Sequence, residues 1–342
     1  MISVAEAKHL LLANTPPPQP VQLSLAEAGG YVLAEALYSP IDMPPFAQSA
    51  MDGYALNFGQ LEADAVLRVR HSVQAGAAEL PRLAAGEAIR IFTGAPVPPG
   101  ADTVVMQEKV ELVEGGIRLL DPELKAGANV RSPASQTQKG ALAAPAGTRL
   151  NPGSIGFLAG LGLSEASVFA APATGLLITG KELVAPGTPL QMGQVYESNS
   201  ASLRAVLAEG GITPVLLRQV EDEAEATYAA IQEGLAGCRL LLITGGISVG
   251  DYDFVYAALQ QAGVETLFYK VKQRPGKPLY CGRKGDTLVF GLPGNPASVL
   301  SCFYQYVVPA IRQMKGLAAE ATPPFFKTLR EDFTKSGDLP SF

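Results

Sequence analysis

A chain of 342 residues, 47% hydrophobic and 17% charged, exceeds one ordinary domain and has apolar material for two or three cores, which excludes global disorder. Its net charge of −6 argues against a broad nucleic-acid-binding face, and no apolar run has the length of a membrane-spanning helix. Two histidines and three scattered cysteines (Cys238, Cys281, Cys302) exclude a multi-histidine zinc site and a disulfide framework, leaving reduced thiols in a cytoplasmic protein as the expectation.

The first residues, MISVAEAKHLLLAN, are not laid out as a secretory signal and predict an amphipathic helix carrying His9 as a structural residue. The Pro-rich segment Thr15–Pro20 breaks it. Residues 43–171 are rich in Gly and Pro with short apolar alternations such as AVLRVR and DTVVMQEKVEL, which predict small β-structure joined by turns. From residue 172 the rhythm changes. The strands ATGLLITG, ITPVLLRQV and CRLLLITGG alternate with the helices NSASLRAVLAEGG, DEAEATYAAIQEGLAG and DYDFVYAALQQAG. VETLFYKVK, KPLYCG and TLVFGL are further strands before a closing apolar helix. Such alternation predicts a mostly parallel sheet with right-handed crossovers, whose ligands bind beyond the carboxyl ends of the strands.

Several turns at those ends have chemistry of their own. In GLPGNP, Asn295 is placed to cap the closing helix, Pro296 needs no amide partner at the first helical position, and Gly294 lets another group approach the backbone. The amides of Ala297 and Ser298 would then face an anion, beside the Ser298 hydroxyl; a rigid strand-to-helix turn is the alternative. TGGISVGDYDF repeats the arrangement, with Asp251 and Asp253 either favouring the helix dipole or holding Mg²⁺. KVKQRPGKP gathers Lys270, Lys272, Arg274 and Lys277 round a stiff Pro-Gly turn, either as a solvated face or as an oxyanion clamp. SAMDGYAL and FTGAPVPPGADTVVMQEKV bring Asp52, Thr93 and Glu108; each alone reads as a loop.

Together the stretches are specific. MPPFAQSAMDGYAL, IFTGAPVPPGADTVVMQE, GANVR, ITGKEL, TGGISVG, RPGKP and GLPGNP follow one another as in the MoeA/gephyrin-type family of molybdopterin molybdenumtransferases, and the chain resembles that family over about residues 1–330. The resemblance implies an elongated α/β plus β homodimer. Residues 1–20 and 172–318 would form a three-layer molybdopterin-binding α/β domain with a mostly parallel sheet. Residues 21–42 and 140–171 would form a linking domain, residues 43–139 a small β-rich domain, and residues 319–342 the start of a truncated C-terminal β-domain.

It also implies a magnesium-dependent, cytoplasmic transferase that inserts molybdate into adenylylated molybdopterin and releases AMP, with a molybdopterin adenylyltransferase as a possible partner and neither nucleic acid nor membrane involved. By resemblance the catalytic residues are Asp52, Thr93, Glu182, Asp222 and Asp253, with Asp52, Glu182 and Asp253 holding Mg²⁺. Gly245, Gly246, Ser248, Lys270, Arg274, Lys277, Gly294, Asn295 and Ser298 would bind substrate. Ala134-Ser135-Gln136 stands where the family has Gly-Glu-Asp, Lys181 stands where it has an aspartate, and Arg274 where lysine is usual. These departures keep open a second reading, a molybdopterin-binding or scaffold relative with impaired activity.

Overall fold

The computed structural model describes residues 1–221, 223–247, 254–319, 339–340 and 342. Asp222, the loop residues 248–253 and residues 320–338 and 341 lie outside the described residues, and with them much of the expected C-terminal β-segment.

The apolar runs after residue 172 form one six-stranded sheet in the order Leu216–Val220, Thr174–Thr179, Leu240–Thr244, Thr287–Leu292, Tyr280–Lys284, Glu265–Tyr269. The first four strands are mutually parallel, Tyr280–Lys284 runs antiparallel to both of its neighbours, and Glu265–Tyr269 at the edge points the same way as the first four. Side chains alternate across it. Leu176, Leu242, Phe290 and Leu292 join one core, while Leu177, Leu241, Ile243 and Val289 join the other. Burial on both faces explains why these strands read as unbroken hydrophobic runs.

Helices cover the two faces. The first core takes Ala7 and Leu11 from α1 (Val4–Asn14), Leu203 and Leu207 from α3 (Asn199–Glu209), Val299 from α6 (Pro296–Cys302) and Ile311 from α7 (Val308–Met314). The second takes Ile231 from α4 (Ala224–Gly237) and Val255 and Leu259 from α5 (Phe254–Gln261). The N-terminal helix therefore packs with the far end of the chain, and Gln313 donates to the Leu12 carbonyl at 3.2 Å.

The closing run is not one regular helix. Between α6 and α7, residues Phe303–Val307 form a π-turn in which the Val308 amide reaches back to the Phe303 carbonyl. Pro309 supplies the reason: it has no N–H for the carbonyl four residues earlier, and its ring crowds that carbonyl.

Residues 20–44 and 140–170 come together through antiparallel pairs, Pro20–Ser24 with Glu165–Phe169 and Leu37–Tyr38 with Leu142–Ala144. Leu25, Leu33, Leu150 and Val168 form their core, beside Leu158 of α2 (Pro152–Gly160). Between these passages lies a second six-stranded sheet, ordered Thr103–Met106, Gly53–Leu56, Glu87–Ile91, Val66–Val73, Gly116–Leu119, Val110–Val113. Apolar residues pack on both its faces, Ala55, Ile89, Ile91 and Val104 on one and Tyr54, Leu56, Ala88 and Val105 on the other. The three cysteines are buried free thiols, and His9 lies on the exposed side of α1.

Candidate functional site

Three parallel strands end in glycine-bearing turns at the same edge of the α/β sheet, and a cavity of about 410 Å³ opens there. Its floor is Thr179–Gly180 and Gly245–Gly246, and its sides are Glu182, Asn199, Pro278, Pro293, Gly294 and Pro296. A two-stranded parallel ribbon, Leu183–Val184 with Val195–Tyr196, borders it and contributes Leu183 and Tyr196. This is where a doubly wound sheet has room for a ligand, because the loops diverge beyond the strand ends.

Gly245 is required by the packing. Its φ is +84°, and a Cβ there would lie 2.4 Å from the Thr179 carbonyl oxygen. The glycine turn therefore lets neighbouring strand ends close up beneath the cavity.

Of the residues expected to bind substrate, Gly245, Gly246 and Gly294 line this cavity, as does Glu182. Asn295 caps α6 by accepting from the Ser298 amide at 3.2 Å, an arrangement worth about 1 kcal/mol to a helix. The Ser298 amide is thus engaged by Asn295 rather than left for an anion. Its hydroxyl lies 3.4 Å from the same oxygen, and the residue is buried. This corrects the expectation from the turn alone: the residue that shapes the helix start also consumes its donor. Arg274 and Lys277 are exposed on the turn that ends at Pro278. The Arg274 amide donates to the Pro340 carbonyl at 2.9 Å. Lys270 has a φ of +64° and places its ammonium 4.8 Å from the Tyr269 ring centre. Asp222, Ser248, Asp251 and Asp253 lie outside the described residues.

Asn199 is a site residue that motif reading misses. It opens α3, in whose first turn the Ser200 amide donates to Glu197 at 2.8 Å. The Asn199 amide group donates to the Gly294 carbonyl at 2.9 Å, across 95 residues of sequence. Its Oδ1 is buried and has no hydrogen-bond partner among the described residues, and the same holds for Thr244 Oγ1. The only local signal is the helix start itself, which says nothing of Gly294.

A second polar cluster lies on the small sheet. Register assembles it. Gly53 pairs with Ile91 on one side and with Met106 on the other, so Asp52, Thr93 and Gln107 meet at one end. Thr93 donates both its amide (2.8 Å) and its hydroxyl (2.7 Å) to Asp52 Oδ1. The Thr93 hydroxyl, then its amide, with a smaller share from Arg90, hold the Asp52 carboxyl below the usual carboxylate range against desolvation. Gln107 donates to Glu108 at 3.0 Å and similarly lowers that carboxyl.

Arg90 braces the cluster and is also invisible to motif reading. It donates to the Gly53 carbonyl at 3.0 Å and to the Gln107 carboxamide oxygen, with its guanidinium 5.0 Å from the Tyr54 ring centre and 4.9 Å from that of Phe92. The cluster offers a preset anionic oxygen surface beside a cation. Among the described residues it does not line the strand-end cavity, and no three acidic, histidine or cysteine side chains there gather as a metal-binding group.

Two family models match, the MoeA N-terminal region (domain I and II) over residues 2–162 and the probable molybdopterin binding domain over residues 175–313. A molybdopterin molybdenumtransferase of Haemophilus influenzae is 36% identical over 333 residues, covering 96% of this chain and 81% of the relative. The chain belongs to the MoeA family. A molybdopterin molybdenumtransferase of a Nostoc species is 37% identical, covering 91% of this chain and 73% of the relative. The molybdopterin biosynthesis MoeA protein of Pyrococcus horikoshii superposes with a TM-score of 0.78 at 31% identity, over 92% of this chain and 80% of that one. As a MoeA-family member the chain is an enzyme of the transferase class, within molybdenum-cofactor biosynthesis.

Proposed function

We propose that this MoeA-family chain inserts molybdate into adenylylated molybdopterin and releases AMP, in the cytoplasm and as a homodimer. The observation that carries this reading is the division of polar groups. The strand-end cavity has pterin-sized room and a glycine floor, yet its described lining comes wholly from residues 179–296. The preset carboxylate of Asp52 stands on another module, with Thr93 gripping one oxygen. A cleft formed between the cavity of one subunit and the Asp52 cluster of the other would unite them.

In that cleft residues 1–20 and 172–318 serve as the molybdopterin-binding module and residues 43–139 supply the opposing wall. Residues 21–42 and 140–171 link the two. The orphaned acceptor Asn199 Oδ1, on a residue that lines the cavity, fits a ligand with N–H donors, as a pterin has. The outward cations Arg274 and Lys277 fit the phosphate and molybdate oxyanions. Asp52, Glu182 and Asp253 offer hard carboxylate oxygens of the kind Mg²⁺ takes, and the ion would neutralise charge where two anions meet. Asp52 keeps Oδ2 clear of Thr93, which leaves an oxygen for that task. The protein's work is then to hold the dithiolene sulfurs against molybdate and to offset their mutual repulsion. A molybdopterin adenylyltransferase is the natural source of the nucleotide substrate.

The test supplies adenylylated molybdopterin, molybdate and Mg²⁺ and follows AMP by chromatography. Molybdate-dependent AMP release is expected. Tight pterin binding with no AMP at any molybdate concentration would overturn the reading in favour of a binding-only or scaffold relative, consistent with Ala134-Ser135-Gln136 in place of family acids.

A further inference from the structure

Two walls of the strand-end cavity come from different turns, Pro278 from the cationic turn and Pro293–Pro296 from the turn before α6. A buried polar chain joins them. Gln273 is 1% exposed, and Cys302 and Tyr306 are fully buried. The Gln273 carboxamide nitrogen donates to the Gly276 carbonyl at 2.9 Å and reaches Cys302 Sγ at 3.6 Å. Its oxygen accepts from the Tyr306 hydroxyl at 2.5 Å. A carbonyl only accepts, so the nitrogen must face Gly276, the oxygen must face Tyr306, and the Tyr306 hydroxyl must donate.

The turn is pressed onto this chain. Gly276 has a φ of +81°, and a Cβ there would lie 2.4 Å from Cys302 Sγ and 3.0 Å from Gln273 Nε2. Tyr306 lies in the π-turn Phe303–Val307, so the irregular stretch of the closing helix is the part that meets the chain. An apolar side chain at position 273 would itself need no partner, but it would leave the Tyr306 hydroxyl and the Gly276 carbonyl without theirs. What a carboxamide adds is direction, because its oxygen accepts from Tyr306 while its nitrogen is aimed at Gly276 and Cys302.

We propose that Gln273 and Tyr306 are positioning residues for substrate binding. Their hydrogen bond sets the Arg274–Pro278 turn, with Arg274 and Lys277 facing outward, at a fixed place relative to the helix that begins at the Pro293–Pro296 turn. Neither touches substrate; both act through the two turns. The inference rests on the reading above that the cavity takes the pterin nucleotide.

The experiment compares wild type with Tyr306→Phe, Gln273→Met and the double variant. Tyr306→Phe leaves the Gln273 oxygen unpaired, Gln273→Met leaves the Tyr306 hydroxyl unpaired and takes the donor from the Gly276 carbonyl, and each is expected to raise KM for adenylylated molybdopterin about tenfold with kcat within about twofold. The double variant removes both ends of the Gln273–Tyr306 bond and leaves only the Gly276 carbonyl short of its donor, with the Cys302 thiol at 3.8 Å beside it, so its KM should be no higher than that of either single variant, about tenfold above wild type at most. A lowered Tm with unchanged KM in both single variants would overturn the proposal and make the pair plain core. So would a double variant as impaired as the two singles multiplied together. Amide hydrogen exchange at Val271, which donates to the Lys277 carbonyl at 3.0 Å, reads the turn without ligand. It should quicken in each single variant, and unchanged exchange in both overturns the proposal. Wild type that neither turns over nor binds the pterin nucleotide, with exchange at Val271 still quickened in the variants, would sink the proposed function and leave the mechanical link standing.

Discussion

Thr93 donates two hydrogens to one oxygen of Asp52, from its amide at 2.8 Å and its hydroxyl at 2.7 Å, across 41 residues of sequence. One carboxylate oxygen is thereby fixed and the other is kept clear of the threonine. Thr93→Val removes the larger of the two effects and keeps the amide. The Asp52 carboxyl should then titrate closer to its ordinary value of 3.8, as followed by carbon NMR of the side chain. A carboxyl whose folded pKa lies below its unfolded value gives stability that is complete above the unfolded value and is lost as pH falls through the folded one. For Asp52 that window lies below pH 3.8, so the variant should lose its acid tolerance earlier than wild type. An unmoved Asp52 titration would show that the two residues do not interact in solution.

Asp52→Asn tests the proposed chemistry directly. The amide keeps the size but loses the charge and offers a donor where the carboxylate only accepts. AMP release should fall by about a hundredfold or more, while pterin affinity stays within a few-fold, because the residue belongs to the opposing module. Equal loss of binding and turnover would place Asp52 in ground-state recognition instead.

Gly245→Ala should be costly to the fold. The residue would need a left-handed φ of +84° and a Cβ 2.4 Å from backbone oxygen of Thr179. Backbone strain of this kind amounts to about 1–3 kcal/mol, and the clash adds to it. Urea denaturation should show the shift, and an alanine variant as stable as wild type would mean that the strand ends relax easily.

Asn199→Leu should spare most of the fold and weaken the pterin. It removes the donor to Gly294 and the unpartnered oxygen at the cavity wall. Calorimetry should report affinity lowered about tenfold, the loss expected for one well-placed hydrogen bond. Unchanged affinity would mean that the orphaned oxygen plays no part in recognition.

The thiols should be silent in the native state. Burial pushes the Cys302 thiol up to about 12, and it raises Cys281 and Cys238 as well. Thiolate is the reacting form, so at pH 8 a thiol-reactive dye should label none of the three until denaturant is added. Rapid labelling of any of them in the native protein would contradict the packing of the α/β core.

Local chemistry made the repeating strands, the glycine turns, the Asn295–Pro296 helix start and the order of motifs legible from the residues alone. These signals are short in range: a helix cap or a left-handed glycine is decided within three or four positions. The same residues could not tell that Asn295 would occupy the Ser298 amide, since capping and anion binding draw on one donor. Nor did they reveal Arg90 beside Gln107, Asn199 beside Gly294, or Tyr306 beside Gln273, pairs separated by 17, 95 and 33 residues. Strand register chose the first, the meeting of two loop ends chose the second, and the π-turn ahead of Pro309 presented the third. Periodicity says which face of an element is buried, but only the packed sheet and helices decide which polar group awaits it there.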